Sequence, residues 1–430
     1  MPVSQPRSPQ AYLNLNVRGM GQSATLEINE RSRRLLAEGR KVYRLGLGQS
    51  PFPVPEHVRE ALAENAHQKD YLPVKGLLPL REAVVDWIYR TEGLEYDPEH
   101  VLVGPGTKEL MFIVQLVYYG DLVIPSPSWV SYAPQARIIG RHIHWLRTRP
   151  QTGLGVEPEA LEELCERDPE RPRLLILNTP SNPTGLSYSA EQLEALAEVL
   201  RKYRVLALSD EIYSGTHFTG EHVSLARYYP EGTIISNGLS KWCGAGGWRL
   251  GYFIFPKGLG WLANAMSVVA SETFTSTSAP IQHAAVTALQ EHPEMDSYLK
   301  HCRSILAELS SFSYGKLSEA GAKLSQASGG FYLFPRFENE PNGLHERGIQ
   351  DSPSLCRELL NDTGAAVLPG NCFGRPDKEL SSRIALVDFD GSAALSAAFS
   401  GETINQEFLK KHCSNVYKGI NAMSDWVAGN

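Results

Sequence analysis

The chain has 430 residues, too many for one ordinary core and suited to two or three domains. Hydrophobic residues make up 42% and charged residues 21%, the balance of a soluble globular protein. A net charge of −7 gives no reason to expect nucleic-acid or membrane binding, no apolar run reaches the roughly 20 residues that span a bilayer, and no cysteine spacing outlines a metal site.

The polar start, MPVSQPRSPQAYLNLN, lacks an apolar h-region, so no secretion signal is expected, and residues 1 to about 15 read as flexible. Six scattered cysteines without a CxxC fit reduced thiols in a cytoplasm better than a disulfide framework. Helical spacing runs from Ala24 to Glu38 and is closed by Gly39. KVYRLGLG then reads as a short strand ending in a glycine turn. From about Pro55 helices alternate with β-rich apolar runs: HVLVG, GDLVIP, HIHWL, RLLILN, VLALSDE, TIISNG and GYFIF. In SAEQLEALAEVLRKY, Ser189 can cap the helix with Gln192 as its capping-box partner. This alternation implies an α/β domain with a mostly parallel sheet covered by helices. A long helix over about Pro293 to Tyr314 leads to a remainder, with GGFYLFPRF, GAAVLPG and SSRIALVDF, that reads as α+β. The expected division is a segment 1–54 that joins a small domain, a large domain 55–300 and the small domain 301–430.

In an open parallel sheet, ligands bind at the carboxyl ends of the strands. Four loops fall there. Asp210 follows an apolar strand, and a buried carboxylate needs a cation or donor, or is simply a helix cap or ion-pair partner. GPGTKEL is a glycine turn at a helix start, which suits a phosphate, although most such turns are plain caps and the P-loop spacing is absent. Asn182 lies in the proline-punctuated TPSNPTG, where turn chemistry alone accounts for it. NGLSKWCGAGGWRLGY sets Lys241 among small residues with Arg249 eight positions on. A Schiff-base lysine needs room, and an arginine forks onto phosphate; the alternative is a glycine-rich surface loop.

The run Gly238-Leu239-Ser240-Lys241, with Gly244, Ala245, Gly247, Arg249, Leu250 and Gly251, resembles the lysine signature of class I aminotransferases, which have the pyridoxal-phosphate fold-type I architecture. The resemblance runs from about Ser23 to Tyr252 and resumes at GGFYLFP, AAVLPG and SSRIAL. It implies that Lys241 holds pyridoxal 5'-phosphate as an internal aldimine and then moves the substrate proton. It implies that Asp210 pairs with the ring nitrogen, and that Asn182 and Tyr213 donate to the phenolic oxygen. Arg249, Gly106 and Thr107 would receive the phosphate, and Trp129 would stack on the ring. Tyr71, in DYLPVKG, would reach the phosphate of the other subunit of a homodimer. Arg383 would fork onto the substrate α-carboxylate, Gly48 would close on it, and Gly330 and Phe331 would line the pocket.

Three stretches depart from the family pattern. Gly238 stands where a hydroxyl is often a phosphate ligand, YYGDLVIP replaces a PGDEVIIP type, and the segment after Arg383 is longer and different. Lys108 and the SAT segment, Ser23 to Thr25, resemble a subgroup acting on aspartate and prephenate, in which Lys108 would read the distal carboxylate. The expected activity is transfer of an amino group between an L-amino acid, aspartate or glutamate favoured, and a 2-oxo acid. The alternatives are a C–S lyase or an aminocyclopropane-carboxylate-synthase-like enzyme of the same fold, and a binding protein on a retired enzyme fold.

Overall fold

Each of the seven apolar runs becomes a strand of one sheet. The computed structural model describes residues 12–21, 24–149, 153–337 and 343–429; residues 1–11 and Ser23, with the readings that fall on them, lie outside the described residues. The strand expected in KVYRLGLG is β1 (Tyr43–Arg44). The runs that follow are β2 (Val101–Gly104), β3 (Asp121–Ser126), β4 (Ile143–Arg147), β5 (Arg173–Asn178), β6 (Leu206–Asp210), β7 (Thr233–Gly238) and β8 (Gly251–Ile254). They order β2-β8-β7-β6-β5-β3-β4. Neighbours from β7 to β4 run parallel, and β8 is antiparallel to both β7 and β2.

Strands β3, β5, β6 and β7 are buried along their whole length, as a sheet covered on both faces requires. On one face Ile124, Ile176, Leu208 and Ile234 pack with Leu110, Met111 and Met266 from the helices Thr107–Val117 and Gly260–Thr273. On the other, Leu175, Leu177 and Ala207 pack with Leu161, Leu193 and Leu196 from Pro158–Glu166 and Ala190–Lys202. The last of these helices carries the expected box: Gln192 N donates to Ser189 Oγ, and Ser189 N donates to Gln192 Oε1 at 2.9 Å.

The long helix is Pro293–Glu319, 27 residues, so it runs one turn past Tyr314 and crosses residue 301 without a break. Beyond it, β9 (Tyr332–Leu333) and β11 (Leu368–Pro369) flank β12 (Ser382–Ala385) in an antiparallel sheet. Strand β10 (Ala365–Ala366) pairs in parallel with β1, which ties the N-terminal segment to this part of the chain. The stretch after Arg383 forms the helices Gly391–Phe399, Gln406–His412 and Ser414–Ala428. The last of them buries Val416, Ile420, Met423 and Val427 completely against the long helix and its neighbours.

This segment therefore acts as packing rather than as a movable cover. Ile420→Ala is expected to cost about 2–5 kcal/mol, the scale of a buried Ile-to-Ala cavity, as a drop in the denaturant midpoint; a loosely docked lid would lose little.

Candidate active site

The carboxyl ends of β5, β6 and β7 and the helix start after β2 meet the segment 46–49 and β12 around one cavity of about 510 Å³. Of the residues singled out in the sequence, Gly48, Thr107, Lys108, Trp129, Asn182, Asp210, Tyr213, Lys241, Arg249 and Arg383 line it. Four of these carry cations and one, Asp210, carries a carboxylate.

Lys241 Nζ donates to the Gly48 carbonyl at 2.8 Å and lies 5.7 Å from the centre of the Tyr213 ring. Burial pushes its amine down to about 8; Arg383 and Arg249 push the same way and Asp210 opposes them. Asp210 Oδ2 accepts the Tyr132 hydroxyl at 2.5 Å. Burial raises this carboxyl to about 6, against the Tyr132 bond, the Ile212 amide and the Lys241 charge. Its Oδ1 is buried and accepts no well-formed hydrogen bond among the described residues.

Arg383 is 2% exposed and no carboxylate meets it among the described residues. Its Nη1 donates to Asn182 Oδ1 at 3.1 Å and its Nη2 to the Gly46 carbonyl at 2.5 Å, while Nε is unpartnered. The guanidinium lies 4.6 Å from the centre of the Tyr332 ring, and burial lowers its pKa. A buried cation without a counter-ion is costly, so this one is poised for an anion. Asn182 is itself held by its amide, which donates to Asn178 Oδ1 at 2.6 Å. Tyr213 and Tyr332 share a hydroxyl hydrogen bond of 2.9 Å.

At the helix start Gly106 has φ +90°, and a side chain there would run into the Arg249 guanidinium. Arg249 donates to the Gly246 carbonyl at 2.9 Å and the Pro105 carbonyl at 3.3 Å, so it sits over the free amides of Thr107–Val117. Lys108 is exposed, with Nζ 5.3 Å from the centre of the Trp129 ring; burial of its amine and the Arg249 charge lower its pKa.

Two expectations change. Phe331 does not line the cavity: it is buried in the main core, and Tyr332 faces the site instead. Both rings pack edge-on against Tyr213, at 5.5 and 5.6 Å, and a Phe-Tyr pair at the start of β9 does not reveal which one borders the cavity. The glycines of the lysine loop also serve a different purpose from the one their density suggests. A Cβ on Gly244 would meet the Phe52 carbonyl at 2.5 Å and one on Gly251 the Thr107 amide at 2.5 Å; Gly246 and Gly247 are the two that border the cavity. Gly330 does not line the cavity either; a Cβ there would meet the Tyr213 ring at 3.5 Å. Tyr71 is 90% exposed and lies away from this chain's own cavity lining.

The sequence reading missed Tyr132 and Tyr332. Tyr132 stands three residues after Trp129 in PSPSWVSY, and their rings meet edge-on at 5.2 Å. That one-turn spacing was the available signal.

Gly238, where a hydroxyl is often found, has no room for one. A Cβ there would lie 2.7 Å from the Leu250 carbonyl and 2.8 Å from Gly251 Cα. Gly238→Ser is expected to destabilise by about 1–3 kcal/mol, the cost of overpacking, without tightening phosphate binding; denaturant titration and phosphate affinity check this.

A family model for aminotransferase class I and II matches residues 40–388. An aspartate aminotransferase of Geobacillus stearothermophilus is 34% identical over 371 residues, covering 84% of this chain and 91% of that protein. An aspartate/prephenate aminotransferase of Thermus thermophilus is 32% identical over 366 residues, with the same coverage of 84% and 91%. Among solved structures, an aspartate aminotransferase from Rhizobium meliloti superposes with a TM-score of 0.82 at 28% identity, covering 97% of this chain and 99% of the other. The Thermus thermophilus aspartate aminotransferase with maleate gives 0.80 at 29%, covering 95% and 100%. A cavity of this charge, built on this sheet and matched over this length, places the chain in the aminotransferase class I and II family.

Proposed function

We propose that the protein is a pyridoxal-phosphate-dependent aminotransferase acting on an acidic L-amino acid, aspartate or glutamate, and a 2-oxo acid. The observation that carries this is the charge of the cavity, with four cations gathered around one buried carboxylate. The residues present fit the cofactor. The unpartnered Oδ1 of Asp210 would accept the ring N–H, Trp129 and Ile212 would border the ring, and Arg249 with the Gly106-Thr107 turn would take the phosphate. When bound, the cofactor supplies an electron sink for the carbanion formed at the substrate Cα.

The chain's own residues do the rest. Lys241, lowered to about 8, has a neutral fraction at physiological pH able to hold the cofactor aldehyde and to carry a proton. Arg383, steadied by Asn182, forks onto the α-carboxylate, and Gly48 leaves space for the Tyr332 hydroxyl beside it. Tyr213 sets its ring 5.7 Å from the amine, and its hydroxyl is bonded to that of Tyr332. Lys108, over the Trp129 face at the cavity mouth, reads a distal carboxylate. The maleate in the Thermus thermophilus structure is a dicarboxylate, which favours this substrate class. The similar proteins named here are transaminases, which favours amino transfer over C–S lysis.

The proposed active unit is a homodimer, in which the exposed Tyr71 reaches the partner's phosphate. The proposed domains are 55–300 and 301–430, with 1–54 joined to the second through the β1–β10 pair. Six scattered cysteines, five of them buried, suit a reducing cytoplasm.

The purified protein is expected to show a visible absorption band that L-aspartate bleaches and 2-oxoglutarate restores. Lys241→Ala is expected to abolish this cycle, and Lys108→Ala to raise the aspartate needed by roughly tenfold, the loss of one charge-assisted contact. A colourless protein that cannot be loaded with the cofactor would overturn the reading.

The pH dependence follows from Lys241. Its pKa is lowered, so the reactive neutral amine accumulates above pH about 8 rather than above 10.5. The rate of cofactor capture by the apoprotein is expected to rise through a midpoint near 8. Arg383→Gln removes a charge that lowers this pKa, so the midpoint is expected to move upward.

A further inference from the structure

Behind the cofactor cavity lies a second group of ionisable side chains, Glu92, Glu211 and His222, each less than 10% exposed. None of them lines the active-site cavity. Glu92 ends the helix Leu78–Glu92, Glu211 follows Asp210 at the end of β6, and His222 lies in the loop beyond. His222 Nδ1 and Glu92 Oε1 share a hydrogen bond of 2.8 Å. The other Glu92 oxygen accepts the Ser224 amide at 3.0 Å and Arg227 Nε at 2.9 Å. Glu211 Oε1 accepts the Ser209 and Ser224 hydroxyls at 2.8 and 2.6 Å, and its Oε2 is 4.0 Å from His222 Nδ1. Both Glu92 oxygens, Glu211 Oε1 and His222 Nδ1 are engaged within the protein, while His222 Nε2 makes no well-formed hydrogen bond among the described residues; the engaged atoms tie helix end, strand end and loop together as a lock.

Strand alternation gives the lock its target. Along β6, Leu208 packs on one face of the sheet and Ala207 on the other. Asp210 continues the first row and reaches the cavity, while Ser209 and Glu211 continue the second and enter the cluster. The ladder holds this end of the strand as well: Glu211 N donates to the Ser236 carbonyl at 2.9 Å, and the Asp210 carbonyl accepts Asn178 Nδ2 at 2.7 Å and Thr179 N at 3.1 Å. Whatever fixes Glu211 fixes the backbone on which the Asp210 carboxylate is aimed.

We propose that Glu92, His222 and Glu211 are positioning residues that pin the carboxyl end of β6 and so set the direction of the Asp210 carboxylate in the active site. Charge supports this role. Burial alone would lower His222, yet its Glu92 bond and the Glu211 charge raise it, which favours a charged anchor between two carboxylates. Burial pushes Glu211 upward, against the pull of His222. The proposal rests on the cofactor reading, because the atom to be aimed is the one that would meet the ring nitrogen.

The test uses the cofactor-loaded protein and its visible spectrum titrated against pH. Glu211→Gln keeps the shape and removes the charge. It is expected to lower the thermal midpoint, because His222 loses a buried partner, to shift the spectral pH midpoint by about one unit, and to lower kcat roughly tenfold at constant KM, the scale at which outer-shell partners act. Should that variant fail to fold, Ser209→Ala removes a single donor to Glu211 and is expected to move the spectral midpoint the same way by a smaller amount. A folded variant of either kind with an unmoved spectral midpoint and kcat would overturn the proposal. Asp210→Asn serves as the reference. If it too leaves the spectrum unmoved, the cofactor reading is at fault; if it shifts the spectrum and the Glu211 and Ser209 variants do not, the positioning role alone fails.

Discussion

The structure depends on how four cations gather around one cavity, Arg383 buried and Lys241 half-buried within it, Lys108 and Arg249 exposed at its rim. Lys241 and Arg383 repel each other, and a single carboxylate, Asp210, offsets them from within the chain. Such an arrangement is unfavourable without anions. It persists because uncharged acceptors hold three of the cations: the Gly48 carbonyl takes Lys241, the Gly246 and Pro105 carbonyls take Arg249, and the Gly46 carbonyl and Asn182 Oδ1 take Arg383. Backbone carbonyls orient a cation without neutralising it, so the field of the cavity stays open for phosphate and carboxylate.

The scaffold that makes this possible is a sheet buried on both faces. Its strands hold their ends rigidly in register: Asp210 ends β6, and Lys241 and Asn182 follow the ends of β7 and β5 within a few residues. This is why lysine, aspartate and asparagine from three neighbouring strands meet without a single long helix or loop to gather them. The same sheet explains the close glycine packing, since Gly238 and Gly251 bring backbones together where a methyl group would part them.

Most of this was legible in the residues. The seven strands and the capping box of Ser189 followed from apolar runs and turn residues, and the ten cavity residues from the lysine motif together with the family resemblance it carries. What escaped had physical reasons. Tyr132 acts on Asp210 from 78 positions away, a contact that exists only after folding. Phe331 and Tyr332 are adjacent and both aromatic, and both pack on Tyr213, so the residue pattern does not say which borders the cavity. Glu92 and His222 look like ordinary surface residues in sequence, and only the helix end that buries them gives them partners.

The antiparallel course of β8 has a consequence of its own. Gly238 and Gly251 face each other directly in the β7–β8 ladder, so the segment between them, which carries Lys241 and Arg249, is clamped at both ends by paired backbone. A clamped segment tolerates exchange of side chains far better than a change of length, because one added residue would put the amine and the guanidinium out of step with the strands that present them. Divergence in this part of the chain should therefore proceed by substitution alone, while insertions collect in stretches such as the one after Arg383, where helices can be added to the outside of an existing core.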